Sequence, residues 1–184
     1  MMEIRIHGRG GQGAVTAAKI LGEAAITEGK WAWKSALYGG ERRGAPVQAF
    51  VRIADEPIRE THQVIEPDCL LIIDSTLPDV VNVTAGLKEP GVIIYNTTKK
   101  PEEIGFAKGA KVATLDALTI SNELFGARSI PIVNTSMMGA LVKATGYLEL
   151  ESLFEPIMKS FPGSRGEKNI QAVKLGYENS ALST

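Results

Sequence analysis

Short apolar stretches alternate along this chain between a period of two and a period of about 3.6, and polar, glycine- and proline-rich turns separate them. The first period predicts strands over 4–7, 31–36, 47–53, 69–73, 92–95, 111–115 and 131–133. The second predicts helices over 14–28, 77–87, 101–106, 118–125, 137–145, 150–161 and 168–179. Residues 70–73 and 92–94 are unbroken apolar runs, as expected of strands covered on both faces. Over 47–53, Val47, Ala49, Val51 and Ile53 alternate with Gln48 and Arg52, which predicts a half-exposed antiparallel strand. Helix 14–28 places Ala14, Ala17, Ala18, Leu21 and Ala25 on one face, small enough to lie close on a sheet, and Gly29 ends it. Strands alternating with helices predict an α/β fold: one domain over 1–184, with a mainly parallel, doubly wound, Rossmann-like sheet and helices on both faces. The final two helices, the first ended by Pro162-Gly163, either cap the sheet or dock on another subunit.

Composition narrows the class. The 184 residues are 44% hydrophobic and 22% charged, ordinary for a soluble domain with a real core. A net charge of -1 argues against a general nucleic-acid binder. No apolar run approaches the roughly 20 residues that span a bilayer. A strand and a glycine turn stand where a signal peptide would carry its apolar region, so a cytoplasmic protein without membrane partners is expected. Cys69 is the single cysteine, which excludes an intrachain disulfide and an all-cysteine iron–sulfur cluster built by this chain alone. His7 and His62 do not complete a zinc set with it, and no metal site is expected.

Candidate chemistry gathers in two segments. Gly8-Arg9-Gly10-Gly11-Gln12-Gly13 follows a strand and opens a helix, the context in which backbone N–H groups and a helix dipole hold an anion, most often a phosphate. A dinucleotide site also needs an acidic residue about 20 positions further on. None stands near 31–37, and Ala14-Val15 replaces the Lys-Ser/Thr of a P-loop. The plain alternative is a tight turn with no ligand. The second segment, Tyr38-Gly39-Gly40-Glu41-Arg42-Arg43-Gly44-Ala45-Pro46, holds two guanidiniums able to clamp a phosphate or carboxylate, with Glu41 to orient one. Its plain alternative is a solvated loop with surface ion pairs worth little.

Strand ends supply further polar residues: His7, Asp74-Ser75, Asn96-Thr97, Asp116 and Asn134-Thr135, a set able to line one crevice at the carboxyl edge of the sheet. Asp116 and Ser136 read first as helix caps. His7 either donates to a ligand or holds the turn, and lacks the neighbours of a catalytic base. Cys69, Met137 and Met138 read as core, Trp31 and Trp33 as core or interface anchors, and His62, Lys99 and Lys100 as solvated.

Together the two segments resemble the gamma subunit of the 2-oxoacid:ferredoxin oxidoreductases, for which pyruvate and related ketoacids are the substrates. The motifs are H-G-x-G-G-Q-G at His7, Gly8, Gly10, Gly11, Gln12 and Gly13, then Y-G-x-E-x-R-G at Tyr38, Gly39, Glu41, Arg43 and Gly44. The likeness continues through Val51-Arg52-Ile53 with Pro57-Ile58, the strand ending in Asp74, and Asn134-Thr135 before Met138-Gly139-Ala140-Leu141. Ala45 departs from it where many relatives have glycine. The resemblance implies a complex that cleaves a 2-oxoacid on thiamine diphosphate with magnesium, passes electrons through iron–sulfur clusters to ferredoxin and forms an acyl-CoA. It implies alpha and beta thiamine-binding partners and a ferredoxin-like delta subunit, with no catalytic residue and none of these cofactors bound by this chain alone. On that footing Gly8, Arg9, Gly10, Gly11, Gln12, Gly13, Tyr38, Gly39, Glu41, Arg42, Arg43, Gly44, Asn134 and Thr135 are expected to bind either coenzyme A or a partner chain. Two rivals remain at this level: an independent NAD(P)-binding oxidoreductase with a degenerate fingerprint, and a structural subunit that binds no small molecule.

Overall fold

The computed structural model describes residues 1–38 and 44–183, with Tyr38 described in its backbone alone. Seven strands form one sheet in the order β2-β3-β1-β4-β5-β6-β7. They are β1 (Met2–Arg9), β2 (Trp31–Tyr38), β3 (Pro46–Ala54), β4 (Cys69–Ile72), β5 (Val92–Asn96), β6 (Lys111–Leu115) and β7 (Ala181–Leu182). The helices are α1 (Ala14–Thr27), α2 (Ala117–Phe125), α3 (Asn134–Thr145), α4 (Phe154–Ser160) and α5 (Ser164–Asn179). β1, β4, β5 and β6 run parallel, β3 pairs antiparallel to both β1 and β2, and β7 pairs antiparallel to β6. The α/β class stands, and the sheet is mixed: a parallel centre carries antiparallel flanks.

The helices are not distributed over both faces as expected: among the described residues, α1 to α5 all pack on one face. Ile4, Ile6, Val51, Ile53, Leu71, Ile73, Ile94 and Ala113 meet Ala17, Ala18, Leu21, Met137, Met138, Leu141, Ile157, Ala172 and Val173 in the main core. The small side chains of α1 bring its axis close to the sheet, as the spacing predicts. α3 and α5 approach closely because Gly139 and Gly176 face each other's backbones, at Val173 and Ser136 respectively.

The opposite face has a different cover. Leu70, Ile72, Ile93, Tyr95 and Val112 pack against Leu77, Val83, Ile104 and Ala107, which come from 3-10 turns and irregular chain. The helix expected over 77–87 is a single 3-10 turn, Leu77–Asp79, followed by turns. Pro78 starts it, but the β-branched Val80, Val81 and Val83, with Asn82 and Thr84 between, favour other conformations, and Gly86 has φ 72°. The helix expected over 101–106 is likewise the 3-10 turn Pro101–Glu103, with Gly105 following closely. The strand expected over 131–133 is an irregular lead into α3, and helix 150–161 divides into the 3-10 turn Leu150–Leu153 and α4.

β3 is antiparallel as expected but not half-exposed. Lying between β2 and β1, it is buried almost throughout, and Arg52 is 0% exposed. Its Nε–H donates to Glu3 at 2.8 Å, and its other nitrogens donate to the carbonyls of Glu60, His62 and Gln63 at 3.2, 2.6 and 3.3 Å. Trp33 stacks on the guanidinium at 4.7 Å, so this tryptophan is an anchor, whereas Trp31 is 52% exposed at the open edge.

Candidate functional site

β1 leaves the sheet at Arg9 and turns through 10–13 into α1. Gly11 and Gly13 adopt φ 97° and 82°, a region that favours glycine. Space imposes the same residue: a Cβ at Gly11 would lie 2.9 Å from Ile130 Cδ1, and one at Gly13 would lie 2.5 Å from Asn134 Nδ2. Asn134 in turn donates to the Gly13 carbonyl at 3.3 Å, so the start of α3 buttresses the turn from behind. Gly13 is also the N-cap of α1, and no side chain caps that helix. Its first N–H groups border a cleft of about 310 Å³ formed by Arg9, Gly10, Gly11, Gly13, Ala14, Val15, Thr16 and Val47.

The second segment reaches the first. Gly10 N–H donates to the Ala45 carbonyl at 2.9 Å, and Gly44 N–H donates to the Gly10 carbonyl at 3.3 Å. Arg9 donates to the Gly44 carbonyl at 3.2 Å and to Thr76 Oγ1 at 2.8 Å, with its Nε 3.3 Å from Asp74. Gln12 completes a ring: its Oε1 accepts from Arg9 N–H at 2.7 Å, and its Nε2 donates to Asp74 at 2.5 Å. Burial pushes the Asp74 carboxyl up, but hydrogen bonds from Thr76 and Gln12 and the charge of Arg9 outweigh it and hold it below the usual carboxylate range. Gly39, Glu41, Arg42 and Arg43 lie outside the described residues.

On the far side of Gln12 the carboxyl edge opens into a crevice of about 350 Å³ lined by Gln12, Asp74, Ser75, Asn96, Thr97 and Asp116, with Leu118, Pro131 and Val133. Of the expected strand-end set, Asp74-Ser75, Asn96-Thr97 and Asp116 share this crevice, whereas His7, Asn134 and Thr135 do not line it. Asp116 also caps α2, accepting from Thr119 N–H at 3.1 Å and from its hydroxyl at 2.7 Å. Ser136 does not act as a cap acceptor; its hydroxyl donates to the Val133 carbonyl. Thr135 is wholly buried and donates to Asn169 at 2.9 Å. His7 is 2% exposed and accepts from Arg5 Nε at 3.0 Å. Burial, and then the Arg5 charge, lower its pKa to about 3, so it stays neutral and is no base at neutral pH.

Sequence reasoning missed the Arg9–Asp74–Gln12 ring and the part of Thr76 in it. The Asp74-x-Thr76 spacing, a local turn in which Thr76 N–H donates to Asp74 at 3.0 Å, was the available signal. Cys69 is sealed in the core, and burial pushes its thiol up, out of reach of redox chemistry. Among the described residues no three His, Cys, Asp or Glu side chains form a metal-holding group, and no helix is long and apolar enough to cross a membrane.

A dinucleotide fingerprint fits this frame poorly. β2 runs in the direction of β1, but β3 separates them, so the end of β2 is not beside the glycine turn as the ribose-binding strand would be.

Residues 3–179 match the family described as pyruvate ferredoxin/flavodoxin oxidoreductase. The pyruvate/ketoisovalerate oxidoreductases common subunit gamma of Thermococcus litoralis is 51% identical over 185 residues, 99% of this chain and 98% of that one. The crystal structure of pyruvate oxidoreductase subunit PORC from Thermotoga maritima superposes with a TM-score of 0.84 at 37% identity, covering 100% of this chain and 98% of its own. The same fold recurs at TM-score 0.76 and 18% identity in 2-oxoglutarate:ferredoxin oxidoreductase from Magnetococcus marinus, solved with 2-oxoglutarate, coenzyme A and succinyl-CoA bound; it covers 96% of this chain and 30% of that one. The motifs at the glycine turn, the matched span and the shared fold agree: this chain belongs to the pyruvate ferredoxin/flavodoxin oxidoreductase family, as one of its gamma subunits.

Proposed function

We propose that this gamma subunit supports the oxidative decarboxylation of pyruvate or a related ketoacid to an acyl-CoA, without itself supplying a catalytic group, by helping to hold coenzyme A at the glycine turn. Thiamine diphosphate, magnesium and the iron–sulfur clusters then belong to its partners: alpha and beta subunits, and a ferredoxin-like delta subunit that passes electrons to ferredoxin in the cytoplasm. The observation that carries the proposal is the meeting of the two segments. Gly10 and Ala45 join their backbones at 2.9 Å beside the uncapped N-terminus of α1, which leaves a rigid set of N–H donors facing a cleft. Fixed donors of this kind suit a phosphate-bearing ligand, and coenzyme A is bound in the Magnetococcus enzyme that contains this fold.

One observation favours the structural-subunit alternative. The Arg9 guanidinium is engaged by Asp74, Thr76 and Gly44 inside the chain, so its charge is partly neutralised before any ligand arrives. The arginine loop separates the two cases. In the assembled enzyme, Arg42→Ala and Arg43→Ala are expected to raise KM for coenzyme A roughly ten- to a hundredfold while the subunits stay together, since a charge-assisted hydrogen bond contributes about 1.5–3 kcal/mol. An unchanged KM with impaired assembly would place these arginines at a subunit contact and remove the coenzyme A role.

A further inference from the structure

The sheet ends differently at its two edges. One edge is the two-residue β7, and the other is β2, eight residues long and paired on one side only. Of the devices that blunt a long edge, β2 carries neither proline nor bulge, and its register with β3 runs residue for residue. The ladder fixes which of its peptide groups face outward. Gly10 N–H donates to the Ala45 carbonyl at 2.9 Å, so alternation makes Gly8–Val47, Ile6–Ala49 and Ile4–Val51 the hydrogen-bonded pairs between β1 and β3. The even residues of β3 are left for β2, in the pairs Trp33–Arg52, Ser35–Phe50 and Leu37–Gln48. Ala32, Lys34, Ala36 and Tyr38 therefore turn their N–H and C=O groups away from β3, and among the described residues none of these groups has a partner.

Side chains narrow what can pair there. Trp31, Trp33, Ser35 and Leu37 share the sheet face of Arg52, and Trp31 and Leu37 remain 52% and 40% exposed. A second copy of the strand, antiparallel across a two-fold axis normal to the sheet, must match it face to face, so paired residue numbers differ by an even number. A register centred on Lys34 sets two ammonium groups opposite each other, which is unfavourable. A register centred on Ser35 instead sets Lys34 opposite Ala36 and Trp33 opposite Leu37, with Trp31 diagonal to the same leucine. It also joins the outward groups of Lys34 to those of Ala36, and of Ala32 to those of Tyr38, as hydrogen-bonded pairs. We propose that β2 pairs with β2 of a second copy of this chain in the register centred on Ser35, which makes one continuous sheet across the dimer. The strand's own sequence satisfies its peptide groups, separates its charges and covers its two exposed apolar side chains, as an isologous interface requires.

The full chain is compared as wild type, Ser35→Cys, Leu37→Cys and Ala36→Pro, by sedimentation and by cross-linking under an oxidant. Wild type is expected to sediment as a dimer. Across the axis Ser35 meets its own copy at a non-hydrogen-bonded position, with Cα atoms about 4.5 Å apart, within reach of a disulfide. Ser35→Cys should therefore lock the dimer covalently. The two copies of Leu37 lie beyond the roughly 7 Å that a disulfide can bridge, so Leu37→Cys should not. Cys69 is buried and gives no background. Ala36→Pro removes an outward N–H without taking a donor from the β3 ladder, and is expected to leave a folded monomer, checked by circular dichroism. A monomeric wild type, a dimer that Ser35→Cys does not lock, or equal cross-linking through Leu37→Cys overturns the proposal. A folded Ala36→Pro variant that stays dimeric overturns it as well, and if that variant does not fold the two cysteine variants decide. The Ser35→Cys link is also expected between copies of this chain in the assembled enzyme. A link confined to the isolated chain overturns the proposal, because the edge would then seat a strand of another subunit.

Discussion

One sheet is covered in two ways, and the two covers treat backbone polarity differently. On the helical face, α1 to α5 satisfy most of their own peptide groups, so their contact with the strands is apolar, and small residues set how close they come. On the other face the cover is turns and irregular chain, whose carbonyls have no ladder of their own. Two buried arginines on the strands answer them. Arg52 donates to three carbonyls between residues 60 and 63, and Arg5 donates to Ile65, Val83 and Ala85 at 3.5, 3.0 and 2.5 Å. A sheet face covered by coil needs long cationic side chains where a face covered by helices needs alanines. Charge is shared unevenly between the two: Glu3 pairs with Arg52, while Arg5 meets carbonyls and a neutral imidazole.

The largest expected effect lies on the coil-covered face. Arg52→Met leaves the part-buried Glu3 carboxylate without that partner and strips the carbonyls of Glu60, His62 and Gln63 of a donor, so a loss of about 3 kcal/mol in denaturant unfolding is expected. A loss below about 1 kcal/mol would mean that the loop stays in place without the guanidinium, and the contrast between the faces would break. On the helical face, Gly176→Ala pushes a methyl into the backbone of α3 at Ser136 and should cost about 1–3 kcal/mol by overpacking. Unchanged thermal stability there would show that α3 and α5 can separate freely, against a face set by close approach.

The smallest effect sharpens the comparison through pH. His7 titrates near 6.5 in the unfolded chain and near 3 in the fold, because burial and the Arg5 charge disfavour the imidazolium. A folded pKa below the unfolded one means that the unfolded state takes up the proton first. The stability in question is therefore complete above about pH 6.5 and falls by about 1.4 kcal/mol per pH unit below it, toward the folded value. Unfolding measured between pH 6.5 and 5 should show this slope in wild type, and a correspondingly shallower one in His7→Asn. Equal slopes would mean that the ring is hydrated in the fold.

Much of this was legible along the chain. Alternating or unbroken apolar runs locate β1, β4, β5 and β6 within a residue or two, because every second residue of a strand faces the core and β4, covered on both faces, is apolar throughout. The alanine face of α1 and the glycine turn also read correctly, since their steric demands are local. The misreadings have a common source. Arg52 was placed at the surface because a charge in an alternating strand usually is, and only the loop folded over it makes burial possible. Residues 77–87 looked helical by spacing, yet Pro78, the β-branched valines and Gly86 favour turns that suffice to cover the sheet. At the site, Asp74 was visible as a strand end, but its link to Gln12 and Arg9 joins residues far apart in sequence.

The sequence by itself determined which backbone segments must be glycine-rich, which helix must be small-faced, and to which family the motifs point. Those properties follow from bond geometry and side-chain volume within a few residues. The tertiary structure decided the rest: that β3 inserts between β1 and β2, that Gly44 and Ala45 return to the glycine turn, and that His7 stays neutral within the fold. These depend on long-range pairing and on desolvation, which no local pattern encodes.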